Sequence, residues 1–78
     1  MLDKKEYLLI TFPNVTEAMR LEAASEKAKV PGRLIPVPRQ IISTCGMAFR
    51  AEPGQKQQLA DLAAQEKITV EEYFNLEL

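Results

Sequence analysis

Histidine is absent from this sequence, and cysteine and glycine are rare. Without histidine, the chain cannot form a Cys–His or Ser–His catalytic pair or a histidine-bound metal site. Cys45 is the single cysteine, which excludes an internal disulfide, a thiolate zinc or iron–sulfur site within one chain, and dithiol redox cycling. We therefore predict that the protein has no metal and no cofactor.

Long hydrophobic runs and glycine-rich loops are also missing. No apolar stretch approaches the roughly 20 residues needed to span a bilayer, and the N-terminal segment lacks a signal-peptide pattern. The three glycines are isolated, so they form no phosphate-binding loop. Because a lone thiol suits a reducing compartment, we expect a cytoplasmic protein with no membrane partner. The carboxylates have the pattern of solvated helix faces, which argues against a carboxylate-only hydrolytic site, so an autonomous enzyme is not favoured.

Charge is nearly balanced overall but unevenly distributed. The net charge of -1 argues against a general nucleic-acid binder. Acids and bases balance over residues 1–31, and acids outnumber bases in the C-terminal third. Residues 32–51 contain Arg33, Arg39 and Arg50, no acid, and the only cysteine. Unless this is chance in a short chain, it indicates an anion-binding or thiolate-stabilising patch.

Hydrophobic periodicity predicts four strands and two helices. Near-continuous or alternating apolar runs indicate the strands, and apolar residues at helical spacing indicate the helices. Asn14 or Thr16 offers an N-cap for the first helix, and Pro53–Gly54 opens the second. The predicted strands cover residues 6–12, 33–38, 47–51 and 72–78, and the first helix ends near residue 29.

This β-α-β-β-α-β order predicts a single α+β domain over residues 1–78 with the ferredoxin-like arrangement. Its four-stranded antiparallel sheet carries both helices on one face, with strands 1 and 3 central and strands 2 and 4 at the edges. Pro36 and Pro38 support the edge position of strand 2, because proline cannot donate a ladder hydrogen bond. Exposed edge strands also allow a homodimer to form by strand pairing.

The segment from Pro38 to Gly46 is the best candidate for a functional site. A thiol is a nucleophile only as the thiolate, which nearby cations, helix N-termini and backbone N–H groups favour. Chemistry alone leaves open the alternative that Cys45 is a small buried hydrophobe. In the functional interpretation, Arg39 and Arg50 supply positive charge, Ser43 and Thr44 donate hydroxyl hydrogen bonds, and Gly46 leaves the backbone open to a substrate.

Aromatic residues on the predicted strands allow a third interpretation. Phe49 on strand 3 and Tyr7 or Phe12 on strand 1 could stack bases, as in ferredoxin-like RNA binders. The apolar first strand and the acidic overall balance favour core packing instead. We therefore predict that the protein has no nucleic-acid partner.

Three short runs around the candidate site resemble a known family. They are Ile35–Arg39, Ile42–Gly46 and Ala48–Arg50. Here the chain resembles the small bacterial proteins of the selenium/sulfur carrier protein-like family, and the resemblance extends over nearly the whole chain. Its most specific pattern is Pro-Arg followed six residues later by Cys-Gly.

The resemblance implies a carrier thiol at Cys45, with Arg39, Ser43 and Gly46 at matching motif positions. Cys45 would hold sulfur or selenium as a persulfide or selenosulfide, with a donor or acceptor protein as its partner. The alternative is a non-enzymatic regulatory or interaction module that binds an anion or a partner protein through the basic Arg39–Arg50 region.

Overall fold

Four strands and two helices follow one another in the predicted order in a computed structural model, which describes residues 5–78. The α+β class is confirmed. The elements are β1 (Glu6–Thr11), α1 (Val15–Lys27), β2 (Arg33–Pro36), β3 (Met47–Ala51), α2 (Lys56–Gln65) and β4 (Glu72–Glu77), with a 3-10 turn (Pro53–Gln55) before α2.

β1 and β3 form the centre of one sheet with the order β2-β3-β1-β4, in which every neighbouring pair is antiparallel. β2 and β4 are the edge strands, as predicted. β2 ends at Pro36 rather than Pro38, and its last paired residue lies opposite Met47. One further backbone bond, from the Val37 N–H to the Gly46 carbonyl at 3.0 Å, closes the base of the segment 37–46, here called the connector.

The main hydrophobic core lies between the sheet and the two helices, which confirms the ferredoxin-like arrangement. Alternate residues of the central strands point into this core, where Ile10 lies opposite Phe49. Fully burying a large apolar side chain contributes about 1.5–3 kcal/mol, so these positions dominate the stability of the fold. Its largest buried side chains are Leu8, Ile10, Phe12, Leu21, Phe49 and Leu59.

The opposite face of the sheet, called here the open face, is also buried at its centre. Leu9, Thr11 and Ala48 belong to it by strand alternation, and none is more than 1% exposed. β4 adds Phe74 to this face, opposite Leu9, whereas Tyr73 packs against the helix-side core. The alternating apolar residues of β4 therefore point away from the helices.

Both helices end in the same turn, with a lysine in the left-handed backbone conformation. The φ angle is +59° at Lys29 and +56° at Lys67. The N–H groups of each lysine and of the next residue donate back to carbonyls of the last helical turn, which is the Schellman pattern. The next residues, Val30 and Ile68, are buried in the core. This turn stops α1 at Lys27 rather than near residue 29.

The first turn of α1 is anchored to the turn that follows α2. Asn14 caps α1 by accepting a hydrogen bond from the Glu17 N–H at 3.0 Å. The Glu17 carboxylate accepts from the Thr69 N–H at 2.7 Å, and Arg20 donates to the Glu66 carbonyl at 2.6 Å. The Thr69 N–H, followed by Arg20, lowers the pKa of Glu17 below its ordinary value.

The turn between α1 and β2 requires glycine at position 32. Gly32 has a φ of +156°, and a Cβ added there would lie 2.3 Å from the Phe49 ring. That distance is far inside van der Waals contact, so the ring would have to move. Gly32 therefore lets the backbone pass directly over a core side chain.

Candidate functional site

The connector lies at the end of the sheet where β1 ends and β3 begins. Thr11, the last residue of β1, lies opposite Ala48, so Cys45 is just beyond the paired part of the sheet. α1 begins at Val15, only a short turn after β1. This end of the molecule, called here the thiol end, therefore combines the single cysteine with the first turn of α1.

Cys45 is half-buried, with one side of its side chain packed against the edge of the main core. Its Sγ donates a hydrogen bond to the backbone carbonyl of Met47 at 3.4 Å. The sequence left two interpretations open, a surface nucleophile and a buried hydrophobe. The observed position lies between them, because the residue packs against the core but is only half-buried.

The residue before the thiol is held by an acid that the sequence did not single out. The Glu71 carboxylate accepts hydrogen bonds from the Thr44 N–H at 3.3 Å and from the Thr44 hydroxyl. The Glu71 N–H in turn donates to the Thr11 carbonyl at 2.7 Å. These bonds, called here the Glu71 clasp, fasten the connector across the end of the sheet and fix the backbone beside Cys45.

The clasp changes the titration of its carboxylate. The Thr44 hydroxyl, the Thr44 N–H and the nearby Thr11 hydroxyl lower the pKa of Glu71 below its ordinary value. The first of these has the largest effect, since it stabilises the ionised carboxylate directly. The clasp is therefore strongest when Glu71 is charged.

Ser43 lies beside the clasp with an unsatisfied hydroxyl. Its Oγ is buried and has no hydrogen-bond partner among residues 5–78. A buried hydroxyl without a partner costs free energy, which a ligand or solvent atom reaching it would recover. The Ser43 hydroxyl is thus an unused hydrogen-bonding group, whereas the Thr44 hydroxyl is already bound to Glu71.

Arg39 and Gly46 occupy the two ends of the predicted motif. Arg39 is exposed, in a turn that the Ile41 N–H closes by donating to the Pro38 carbonyl at 3.1 Å. Gly46 has a φ of +79°, and a Cβ there would meet nothing within 4 Å. Glycine is therefore favoured at position 46 by its backbone conformation, and the space around it is open.

Arg50 does not join the other predicted residues. It lies three positions after Met47 in β3, which at a rise of about 3.3 Å per residue is roughly 10 Å beyond the start of the strand, and Cys45 lies before that start. Its guanidinium lies over the Tyr7 ring, 4.7 Å from the centroid. The structure therefore brings Ser43, Thr44 and Gly46 close to Cys45 and leaves Arg50 at the opposite end of the sheet.

Exposed apolar side chains surround the thiol end. Ile42 in the connector is 95% exposed, and Met19 and Val15 on the first turns of α1 are 57% and 49% exposed. They are the large hydrophobic side chains that stand out as exposed among residues 5–78. Single exposed apolar side chains are common on proteins, but the almost complete exposure of Ile42 makes it a candidate contact point for another molecule.

Three other kinds of site depend on the aromatic residues, the potential metal ligands and the helices. Phe12 and Phe49 are fully buried on the helix side, so the interpretation that they stack on bases is wrong. Residues 5–78 contain no group of three or more potential metal ligands. None of the helices in this part of the chain is long and apolar enough to cross a membrane.

The fold and the site together define a small ferredoxin-like domain with one half-buried thiol in the loop between its second and third strands. A family model described as "Putative Se/S carrier protein-like" matches residues 7–75, which is most of the chain. The chain therefore belongs to this family, and the resemblance seen in the sequence is confirmed. No curated protein and no solved structure matches the chain.

Proposed function

We propose that this protein carries sulfur or selenium on Cys45 between a donor protein and an acceptor protein. The observation that carries the proposal is the position of the only cysteine, half-buried in a clasped connector, in a chain of the Se/S carrier protein-like family. A carrier thiol needs access for a partner and a fixed backbone. The connector offers both.

Loading is a thiol exchange with no net change of oxidation state. The Cys45 thiolate attacks the terminal sulfur of a persulfide on the donor protein. A new sulfur–sulfur bond forms at Sγ, the donor's sulfur–sulfur bond breaks, and the donor leaves as a thiolate. A selenosulfide donor transfers its terminal selenium in the same way. A nucleophile on the acceptor then takes the terminal atom and releases the Cys45 thiolate.

The absence of a second cysteine supports storage of the cargo. A neighbouring thiol would attack the inner sulfur of the persulfide and form a disulfide with it. The terminal sulfur would then leave as hydrogen sulfide. Because Cys45 is the only cysteine in the chain, that loss within one molecule is not available. The bound atom stays until a partner takes it.

Each neighbour of Cys45 has an expected part in this cycle. The Glu71 clasp on Thr44 positions the backbone. The unsatisfied Ser43 hydroxyl can donate to the bound persulfide, and exposed Arg39 supplies positive charge to it. The open space at Gly46 leaves a path for the donor.

Mass spectrometry of the loaded protein tests the proposal. The chain is incubated with a cysteine desulfurase and cysteine, and intact mass is measured without reductant. We expect a gain of one sulfur atom on the wild-type protein and none on Cys45→Ala. Absence of the adduct, or an equal adduct on the variant, would contradict the carrier function. Ser43→Ala keeps the thiol, and we expect it to load but to release sulfur faster.

Binding through the connector without sulfur chemistry is the alternative function. The almost fully exposed Ile42 favours it, since this side chain costs free energy in water unless a partner covers it. An interaction module would keep partner binding in Cys45→Ser and lose it in Ile42→Asp or Arg39→Ala. A carrier would lose transfer in Cys45→Ser while its docking remained.

Self-association through an edge strand stays a prediction, which sedimentation of the full chain would test.

A further inference from the structure

A shallow pocket lies at the end of the sheet away from the connector, called here the arginine end. We propose that it binds the phosphate group of a small molecule. Its volume is about 210 Å³, and it is open to solvent on one side. The side chains and backbone that line it include Tyr7, Gly32, Arg33, Arg50 and Glu52.

Two arginines on neighbouring strands line the pocket. Arg33 of β2 lies directly opposite Arg50 of β3 in the strand register. Like charges in opposite positions on neighbouring strands destabilise their pairing. Neither arginine forms an ion pair with a carboxylate within residues 5–78. An anion bound between them would remove this repulsion.

The acid at the pocket edge is already neutralised. Glu52 lines the pocket, but the Lys5 ammonium lies 2.8 Å from its carboxylate. The charges of Lys5 and Glu52 offset each other, and those of Arg33 and Arg50 remain. The pocket is therefore cationic even though the chain as a whole has a net charge of -1.

Tyr7 holds one of the two guanidinium groups in place. The Arg50 guanidinium lies over the ring at 4.7 Å from its centroid, a cation–π contact that restricts a long side chain. Since Arg50 is half-buried, less of its conformational entropy is lost when a ligand binds. The same contact covers the ring, with Lys5 at 5.5 Å, so Tyr7 is not free to stack on a base.

These features favour a phosphate group over other ligands. Guanidinium groups bind phosphate through paired N–H donors, and two of them match the double negative charge of a phosphate monoester. The small open pocket suits a phosphate with a small substituent. About 10 Å of strand separates Arg50 from Met47, and Cys45 lies before the strand begins, so this site is separate from the thiol.

Titration followed by NMR tests the proposal on the full chain. The side-chain Nε–H signals of arginine are followed as inorganic phosphate, glycerol phosphate or sulfate is added at constant ionic strength. We expect saturating shifts at Arg33 and Arg50 with phosphate, glycerol phosphate or both. Saturation by inorganic phosphate assigns a free phosphate site, and saturation by the ester alone assigns a phosphorylated small molecule.

Matched variants separate this site from a general effect of charge. We expect Arg33→Gln and Arg50→Gln each to weaken binding about tenfold or more, because each removes charge-assisted hydrogen bonds. Arg39→Gln removes the same charge at the thiol end and should change affinity less than about twofold. Glu52→Gln frees Lys5 and should tighten binding by about twofold or more.

Any of four results would overturn the proposal. They are shifts that do not saturate, equal shifts with sodium chloride, sulfate binding as tight as phosphate, and equal phosphate affinity in Arg33→Gln and Arg39→Gln. Circular dichroism confirms that each variant is folded. Sulfur loading at Cys45 in Arg33→Gln should match the wild-type protein, so failure of the carrier function and failure of this site are distinguishable.

Discussion

The thiol end and the arginine end of this sheet place their candidate functional residues in different ways. At the thiol end, a connector outside the sheet carries Cys45 and is tied down by one carboxylate, Glu71. At the arginine end, Arg33 and Arg50 lie on paired strands and their positions follow from the register. The connector is held by hydrogen bonds to a single side chain, whereas the paired strands offer a surface that their register sets. The difference is compatible with the covalent transfer proposed at one end and the reversible binding proposed at the other.

Replacing the glycine at each end gives the sharpest contrast, and Gly32→Ala has the largest expected effect. Its Cβ would meet the Phe49 ring at 2.3 Å in a backbone conformation that favours glycine. Overpacking and backbone strain together should lower the free energy of unfolding by about 3 kcal/mol. Thermal unfolding measures this as a fall of at least about 12 °C. Gly54→Ala is the control, because nothing lies within 4 Å of its added Cβ. A decrease of less than about 1 kcal/mol in the free energy of unfolding of Gly32→Ala would contradict this prediction, because it would show that the Phe49 ring moves aside at little cost.

Gly46→Ala at the thiol end should cost less. The residue has a φ of +79°, but a Cβ there meets nothing within 4 Å. Backbone strain alone should lower the free energy of unfolding by about 1 kcal/mol. Thermal unfolding again provides the measurement. A loss as large as that of Gly32→Ala would mean that the connector supports the fold as strongly as the core does, and the contrast between the two ends would fail.

The turns at the ends of the two helices should give a smaller change in stability, of the opposite sign. Lys29→Gly at the end of α1 and Lys67→Gly at the end of α2 remove side chains from left-handed positions. Each should raise the free energy of unfolding by about 0.5–1 kcal/mol, since glycine is favoured there. Denaturant titration detects a change of this size. Equal increases in the free energy of unfolding would show that both turns carry similar backbone strain. A decrease in either variant would mean that the lysine it replaces makes a stabilising contact.

Removing the charge of the clasp should have the smallest global effect and a clear local one. Glu71→Gln leaves an acceptor for the Thr44 N–H but weakens both bonds, because a neutral amide is a poorer acceptor than a carboxylate. We expect faster hydrogen exchange at the Thr44 amide and an almost unchanged melting temperature. Glu72→Gln, on the neighbouring residue, is the matched control. Equal exchange rates in the wild-type protein and Glu71→Gln would contradict a clasp.

Acid should release the clasp in the wild-type protein. The pKa of Glu71 is lowered on folding, so its stabilising effect is fully present above the unfolded value of about 4.3 and is lost as the pH falls through the lower folded value. The Thr44 amide signal in NMR spectra should therefore move below about pH 4 with the clasp intact at neutral pH. In Glu71→Gln this transition should be absent. A transition that persists in the variant would assign it to another group.

The sequence was sufficient for the topology because its local signals agreed. The apolar β1 required a central position, and the prolines of β2 required an edge. The predicted end of α1 was less accurate. A lysine rather than a glycine occupies the left-handed position there, as it does after α2, and it gives no stop signal. Periodicity identified the alternation of β4 but not the direction in which Phe74 points, which depends on the register with β1.

The candidate site was only partly predictable for a similar reason. Cys45 and its immediate neighbours lie together because they are adjacent in the chain. Glu71 lies 27 positions from Thr44 in an acidic C-terminal region, so nothing in the sequence distinguished it from the other acids. Arg50 was grouped with Cys45 on the basis of charge, yet an extended strand separates them. Its real neighbour, Arg33, was visible only as part of the same basic segment until the strand register was known.

The bond between Val37 and Gly46 has a consequence for how such a protein can change over evolution. Because it closes the connector at its base, residues can be inserted, deleted or exchanged inside the loop without shifting the pairing of β2 with β3. The scaffold and the connector therefore behave as separable modules. The sequence of this short loop can change while the sheet beneath it keeps its register.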